Sequence, residues 1–367
     1  MTHPCRTALV LSAIFIPLLN PASAQEIKWH DASTFEIEGK GWTKTAGLFD
    51  RLPDSAQSKV TKAVWGLSKD SAGLAIRFLT DAPVVSVRWS LVNSSLAMPH
   101  MPATGVSGVD LYTRSTDNTW LFVGNGRPHK QEGNVDRFTF RDGGKKGREC
   151  LLYLPLYNGT KSLEIGVPAG ASLLKPEPRV SAQQKPIVVY GTSIAQGGCA
   201  SRPGMAWPAI LGRMLDRPVI NLGFSGAGRM EPTIGELLAE IDASAFIIDC
   251  IWNMGDDANL YKERVPKLVK AIRQKHSDTP ILFVGQSMIR PGVHPTKATL
   301  TQEEVVKALQ QEGIKGLHLL PGDHLAGPDS EATVDGVHFS DLGMLRQAQA
   351  MLEGVKKVLE KTGDKAN

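Results

Sequence analysis

Short runs of apolar and β-branched residues dominate the first half of the chain: Leu74–Leu79, Val84–Leu91, Trp120–Val123, Arg137–Phe140, Leu151–Leu156 and Ser162–Val167. Turn-forming clusters separate them, among them Asp81-Ala82-Pro83, Asp142-Gly143-Gly144 and Asn158-Gly159. Short strands punctuated in this way predict an all-β sandwich, jelly-roll-like, over residues 25–180. Pro176-Glu177-Pro178 and Ser181-Ala182-Gln183-Gln184 form a polar, proline-marked join. From Lys185 the rhythm changes. Apolar strand-like runs recur at Ile187–Tyr190, Val219–Leu222, Phe246–Ile251, Ile281–Val284 and Leu317–Leu320. Between and after them, helical spacing marks Ala206–Leu215, Ile234–Ile241, Tyr261–His276, Thr301–Gln311 and Leu342–Leu359. Strands alternating with helices predict a parallel sheet covered on both faces, in an α/β domain over residues 181–367.

The first residues have a different character. Arg6, an apolar run from Ala8 to Leu19, and Ala22-Ser23-Ala24 read as a signal peptide over residues 1–24, cleaved after Ala24. The expected product is secreted or periplasmic. No cysteine stands immediately after the cleavage site and no later stretch is apolar enough to span a bilayer, so no membrane anchor is expected. A length of 367 residues agrees with two domains, and 42% hydrophobic with 21% charged residues is a globular composition. The formal net charge of +4 is not gathered into a basic stripe, which argues against nucleic-acid binding. Once Cys5 has left with the signal, Cys150, Cys199 and Cys250 remain. Cys250 lies in an apolar run and reads as a small buried hydrophobe. A Cys150–Cys199 bridge across the domain junction is left open by spacing alone. The nine histidines show no metal-ligand spacing, so no metal is expected. The sequence does not set the oligomeric state.

Four sites carry chemistry. Ile187–Tyr190 runs into Gly191-Thr192-Ser193, which sets Ser193 at the carboxyl edge of the sheet as a nucleophile in search of a base. Val334-Asp335-Gly336-Val337-His338 supplies one: His338 can take the serine proton while Asp335 orients the ring. The bland alternative makes Asp335 the cap of the last helix and His338 a surface residue. Asn221–Gly228, after the second strand, offers backbone N–H groups near Gly226 that suit an oxyanion. Dinucleotide binding by its glycines, or a nucleophilic Ser225, are the competing readings there. Asn253 can donate its side-chain amide to the same oxyanion, or make only a local turn bond. Adjacent Asp256 and Asp257 are too close in sequence to flank a glycosidic bond.

As a set, these positions resemble the SGNH (GDSL-type) hydrolase superfamily, whose blocks supply Ser, Gly, Asn and Asp-x-x-His. The matching residues are Ser193, Gly226, Asn253, and Asp335 with His338; Ala206-Trp207-Pro208-Ala209 is similar as well. Thr192 replaces the usual Asp, and Ile251-Trp252-Asn253-Met254 replaces Gly-x-Asn-Asp. Gly108-Val109-Asp110-Leu111-Tyr112 resembles the Gly-x-Asp-Leu-Tyr signature of a β-sandwich domain that precedes some of these hydrolases, carbohydrate esterases among them. The resemblance implies a flavodoxin-like hydrolase domain behind a β-sandwich. It also implies two-step acyl transfer, which calls for no organic cofactor, with the N–H groups of Ser193 and Gly226 and the Asn253 amide as oxyanion donors. The expected activity is an exported carbohydrate acetylesterase acting on an acylated carbohydrate or other small ester. A lipid or thioester acyl hydrolase of the same fold, and a non-catalytic carbohydrate-binding protein, are the alternatives. Trp252 and Arg290 are the expected substrate contacts; Trp207, Tyr112 and Trp120 could stack on sugars or pack in the core.

Overall fold

A computed structural model describes residues 26–179, 185–289 and 292–360. The signal segment and its cleavage site lie outside the described residues, as does Arg290. The N-terminal half folds as two antiparallel sheets. One orders the strands Ile27–Asp31, Thr160–Pro168, Val84–Leu91 and Asn134–Thr139. The other runs Leu173–Leu174, Ala75–Thr80, Arg148–Tyr153, Val109–Arg114 and Trp120–Gly126, with Glu36–Glu38 added beside Ala75–Thr80. Their inner faces meet in a core that includes Phe78, Trp89, Leu111, Leu152 and Ile165.

The C-terminal half is a five-stranded parallel sheet in the order Val219–Gly223, Ile187–Gly191, Ala245–Asp249, Ile281–Val284, Leu317–Leu320. This 2-1-3-4-5 order is the flavodoxin-like one, and its switch point lies at the first strand. Both faces are covered, which is why the strands read as mostly apolar runs, with Asn221 and His318 as polar exceptions within them. Val188, Tyr190, Phe246 and Ile248 pack toward the helices Pro232–Leu238, Ala258–Arg273 and Lys297–Gln311. Ile187, Val189, Ala245 and Ile247 face the helices Trp207–Leu215 and Asp341–Glu360. The predicted Phe246–Ile251 strand ends earlier, at Asp249, because Ile251 already opens the short helix Ile251–Met254.

The halves are fused by more than a linker. Leu52, Ala56 and Val64 belong to the same core as the parallel sheet. The Gly108–Tyr112 signature is a docking element. Asp110 is fully buried and accepts hydrogen bonds from Arg202 and from the Gly204 N–H, both at 2.8 Å. The Tyr112 hydroxyl accepts from Arg202 at 2.6 Å, and Arg213 lies over the Tyr112 ring at 4.0 Å. Tyr112 and Trp120 join Leu151, Tyr153 and Ala209 in a small apolar cluster between the halves, while Trp207 is fully buried. None of these three aromatics is placed for sugar stacking.

Asp249, at the end of the third parallel strand, is buried and accepts a hydrogen bond from Gln347 of the last helix at 3.0 Å. Burial outweighs that bond and raises its carboxyl to about 6. An acid raised in the fold adds stability below its unfolded value of about 3.9, and that stability is lost as pH rises through about 6. Asp249→Asn should therefore gain on the parent protein by about 2 kcal/mol between pH 4 and 7.5. Urea midpoints at the two pH values measure this; equal spacing at both would refute it.

Candidate active site

Register brings the site together. Gly191 pairs with Gly223 on one side and with Asp249 on the other, so three neighbouring strands end level. Ser193, Gly226 and Asn253 all leave from that edge within four residues of the strand ends. Ser193 is the first residue of the short helix Ser193–Gln196, and Thr192 caps it by accepting from the Ile194 N–H. A first-turn position leaves the Ser193 N–H without a carbonyl inside the helix. The helix stops at Gly197, whose φ of 109° is left-handed.

His338 reaches Ser193 from the loop before the last helix. Its Nε2 lies 2.9 Å from Ser193 Oγ, and its Nδ1 lies 2.7 Å from Asp335 Oδ2. Asp335 Oδ1 accepts from the backbone N–H groups of Val337 at 3.0 Å and His338 at 2.7 Å. Partial burial opposes the charge, but the His338 ring and the two N–H donors prevail and hold Asp335 down at about 2. The Asp335 carboxylate therefore belongs to this loop and not to a cap of Asp341–Glu360. His338 pairs with Ser193, not with Ser225. Such a chain can take a proton from the hydroxyl and steady the imidazolium that forms.

The Phe224–Gly228 loop is a tight turn. The Ala227 and Gly228 N–H groups donate to the Phe224 carbonyl at 3.0 and 2.9 Å, and the Ser225 N–H donates to Gln196 Oε1 at 3.0 Å. The Gly226 N–H makes no hydrogen bond within the described residues. Glycine stands here because φ is +67°, not because anything crowds it: a Cβ would meet nothing within 4 Å. The close approach lies at Gly223, where a Cβ would sit 2.2 Å from the Gln196 nitrogen. Asn253 makes no local turn bond through its amide. Its Nδ2 is buried without a partner, and only its backbone N–H is satisfied, by the Cys250 carbonyl at 3.0 Å. An unpaired buried amide costs about 1–3 kcal/mol, and it is what a donor awaiting an anionic oxygen looks like.

Several residues behind this edge carry no sequence motif. Gln196 is fully buried; its Nε2 donates to Asp70 at 3.0 Å and to the Leu156 carbonyl at 3.1 Å. Its one legible signal is polarity inside an otherwise apolar segment. Arg51 donates to the carbonyls of Asn221 (3.1 Å), Gly223 (2.7 Å), Leu67 (2.7 Å) and Asp70 (2.9 Å). Burial lowers Arg51 to about 10 and raises Asp70 to about 6. Tyr157 donates from its hydroxyl to the Ser193 carbonyl at 3.2 Å. His100, also from the N-terminal half, sets its ring 5.6 Å from that of His338. So the sandwich reaches the active edge.

Among the described residues, Cys150, Cys199 and Cys250 are free thiols. Cys150 lies in the sandwich core, where burial pushes its thiol up to about 12. Cys199 lies beside Asp335, and burial followed by that charge raises it to about 11. The Cys150–Cys199 bridge does not form. Trp252 is half-buried, and its indole N–H donates to Ser287 at 3.0 Å. With Gln286, Ser287, Val293, His294 and others it lines a cavity of about 150 Å³. No helix among the described residues is long and apolar enough to cross a membrane.

Two family descriptions match the chain: the GDSL-like Lipase/Acylhydrolase family over residues 184–356, and the GxDLY N-terminus of SGNH-hydrolase-type esterases over residues 27–173. No curated protein matches it. Among solved structures, a candidate GDSL-like lipase from Bacteroides ovatus ATCC 8483 is 38% identical with a TM-score of 0.82, over 91% of this chain and 98% of its own. A salicylyl-acyltransferase from a tetracycline biosynthetic pathway has the same fold at 19% identity and TM-score 0.72, over 92% and 98%. So does a family two carbohydrate esterase from Clostridium thermocellum, solved with cellohexaose, at 14% identity and TM-score 0.58, over 80% and 94%.

The Arg51 clamp yields a test. Arg51→Met should cost about 3–5 kcal/mol, since it strands four carbonyls and leaves Asp70 without its countercharge. The loss should appear as a lower urea midpoint at unchanged m. A loss below about 1 kcal/mol would mean that water takes over the carbonyls.

Proposed function

This chain belongs to the GDSL-like lipase/acylhydrolase family, and from that premise we propose a serine esterase that removes acetyl or other short acyl groups from carbohydrate. The observation that carries the proposal is the continuous chain Ser193 Oγ, His338 Nε2, His338 Nδ1, Asp335 Oδ2, at 2.9 and 2.7 Å. His338 removes the hydroxyl proton as Ser193 attacks the ester carbonyl, and Asp335 stabilises the imidazolium. The oxyanion is held by the N–H groups of Ser193 and Gly226 and by the Asn253 amide. His338 then returns the proton to the departing alcohol. Water, activated by the same imidazole, releases the acyl group from Ser193.

The substrate class rests on convergent support. The cavity beside the Trp252 indole is lined by Gln286, Ser287, His294 and Thr296 as well as by Val293 and Ile289. One aromatic face among several polar groups suits a hydroxylated sugar better than an alkyl chain. The carbohydrate esterase that shares this two-part fold was solved with cellohexaose. Export, expected from the first 24 residues, would put the enzyme where polysaccharide is found.

Ser193→Ala should lower hydrolysis of p-nitrophenyl acetate by at least about 10³-fold while leaving the melting temperature intact. Acetate release from acetylated xylan, lost in the same variant, would support the carbohydrate assignment. Full activity in Ser193→Ala would remove the mechanism. Turnover of the small ester alone would keep the chemistry and move the substrate elsewhere.

A further inference from the structure

The active edge holds more ligating chemistry than acyl transfer uses. His100, Cys199, Asp335 and His338 each present one donor atom, and the four atoms lie within 4.8 Å of one another. They come from three separate segments. His100 belongs to the turn closed by the Met98–Met101 bridge, Cys199 follows the nucleophile helix, and the other two share the loop before the last helix. Neither His100 nor Cys199 has a part in the proton path from Ser193 to Asp335.

We propose that these four side chains form a site for a soft divalent cation such as zinc, and that its occupancy switches off the esterase. Two imidazoles, one thiolate and one carboxylate are a borderline-soft, four-coordinate donor set. Metal–ligand bonds of about 2.0–2.3 Å put tetrahedral donors about 3.3–3.8 Å apart. The widest gap here therefore closes by about 1 Å, within the reach of the two exposed side chains, His100 and Asp335. The thiol and imidazoles select against magnesium and calcium, which prefer all-oxygen shells. On binding, Cys199 gives its thiol proton to solvent. The two negative charges of thiolate and carboxylate then balance the cation, and no electron changes hands.

Inhibition follows from which groups are captured. Either ring nitrogen of His338 serves the same end: Nε2 is the atom that faces Ser193 Oγ at 2.9 Å, and Nδ1, bonded to Asp335 at 2.7 Å, must draw away from it to share one tetrahedral ion. Ser193 then loses its base. This consequence rests on the acyl-transfer reading above; the binding itself does not.

The experiment uses the purified full-length mature protein, with zinc titrated against a chromophoric chelator and cobalt as the spectroscopic probe. One zinc per chain is expected. Affinity should fall at least tenfold in His100→Ala and in Cys199→Ser, and remain unchanged in Ser193→Ala. Cobalt should give a thiolate charge-transfer band that Cys199→Ser abolishes. In ester assays without metal the two ligand variants should match the parent. With zinc, their inhibition constants should rise at least tenfold. Equal zinc affinity in parent and variants, absence of the thiolate band, or activation by zinc would overturn the proposal. If no ester is hydrolysed under any condition, the cobalt spectrum still decides the site while the acyl-transfer reading fails on its own. Should Cys199→Ser not fold, the His100→Ala titration carries the test.

Discussion

The level ending of three parallel strands is the constraint on which the rest depends. Gly191, Gly223 and Asp249 are partners across the sheet, so a serine two residues beyond the first end, a glycine three beyond the second and an asparagine four beyond the third share one edge. Backbone hydrogen bonding fixes that alignment before any side chain is chosen. A slip of one residue in either ladder would send apolar side chains from one helical layer to the other. The two core layers on opposite faces of the sheet therefore protect the registry of the site.

Level strands are not sufficient, because loops beyond a sheet are the softer part of a fold. This protein stiffens them from outside. Arg51 and Gln196 bridge the end of the second strand, the nucleophile helix and the N-terminal half through buried hydrogen bonds. Burying a guanidinium is costly, and it is tolerable here because it finds four carbonyl acceptors and Phe224, whose ring lies 4.9 Å away. The sandwich is thus less an appended module than one wall of the site. Its Asp110 and Tyr112 anchor it to the Arg202–Gly204 segment, which ties the Gly-x-Asp-Leu-Tyr pattern to domain docking.

What could be read from the chain follows from range. Mostly apolar runs mark all five parallel strands, two of them interrupted by Asn221 and His318, since burial on both faces leaves a signal in each run by itself. Ser193, Gly226, Asn253, Asp335 and His338 were visible because each follows a recognisable strand or precedes a recognisable helix. The strand Val109–Arg114 reads as a signature and not as a strand, because it is buried on both faces and its polar Asp110 finds its partners 92 and 94 positions away. Arg51, Asp70, Tyr157 and His100 left no trace, for their meaning depends on partners 36 to 238 positions away. A buried arginine and a surface arginine look alike in a sequence. The Cys150–Cys199 pairing stays open in the sequence for the same reason: spacing sets no distance between two domains, and in the structure the sandwich core encloses Cys150 as a free thiol.

The site also concentrates features that lower stability. Cys199 adopts φ +67° without being glycine, and the Asn253 amide is buried unpaired. Each costs of order 1–3 kcal/mol. Asp70 and Asp249 add buried carboxyls raised to about 6. Features of this kind persist only where the surroundings over-determine them. Here the surroundings are two extensive cores on the sheet and a third in the sandwich. That division of labour explains why such a small set of polar groups needs so large a scaffold. It also explains the spare ligands: a histidine–aspartate pair kept within reach of a serine must be enclosed, and the Met98–Met101 turn that helps enclose it brings His100 to the Cys199 side. The geometry that makes His338 available to a hydroxyl therefore also makes it available to a metal.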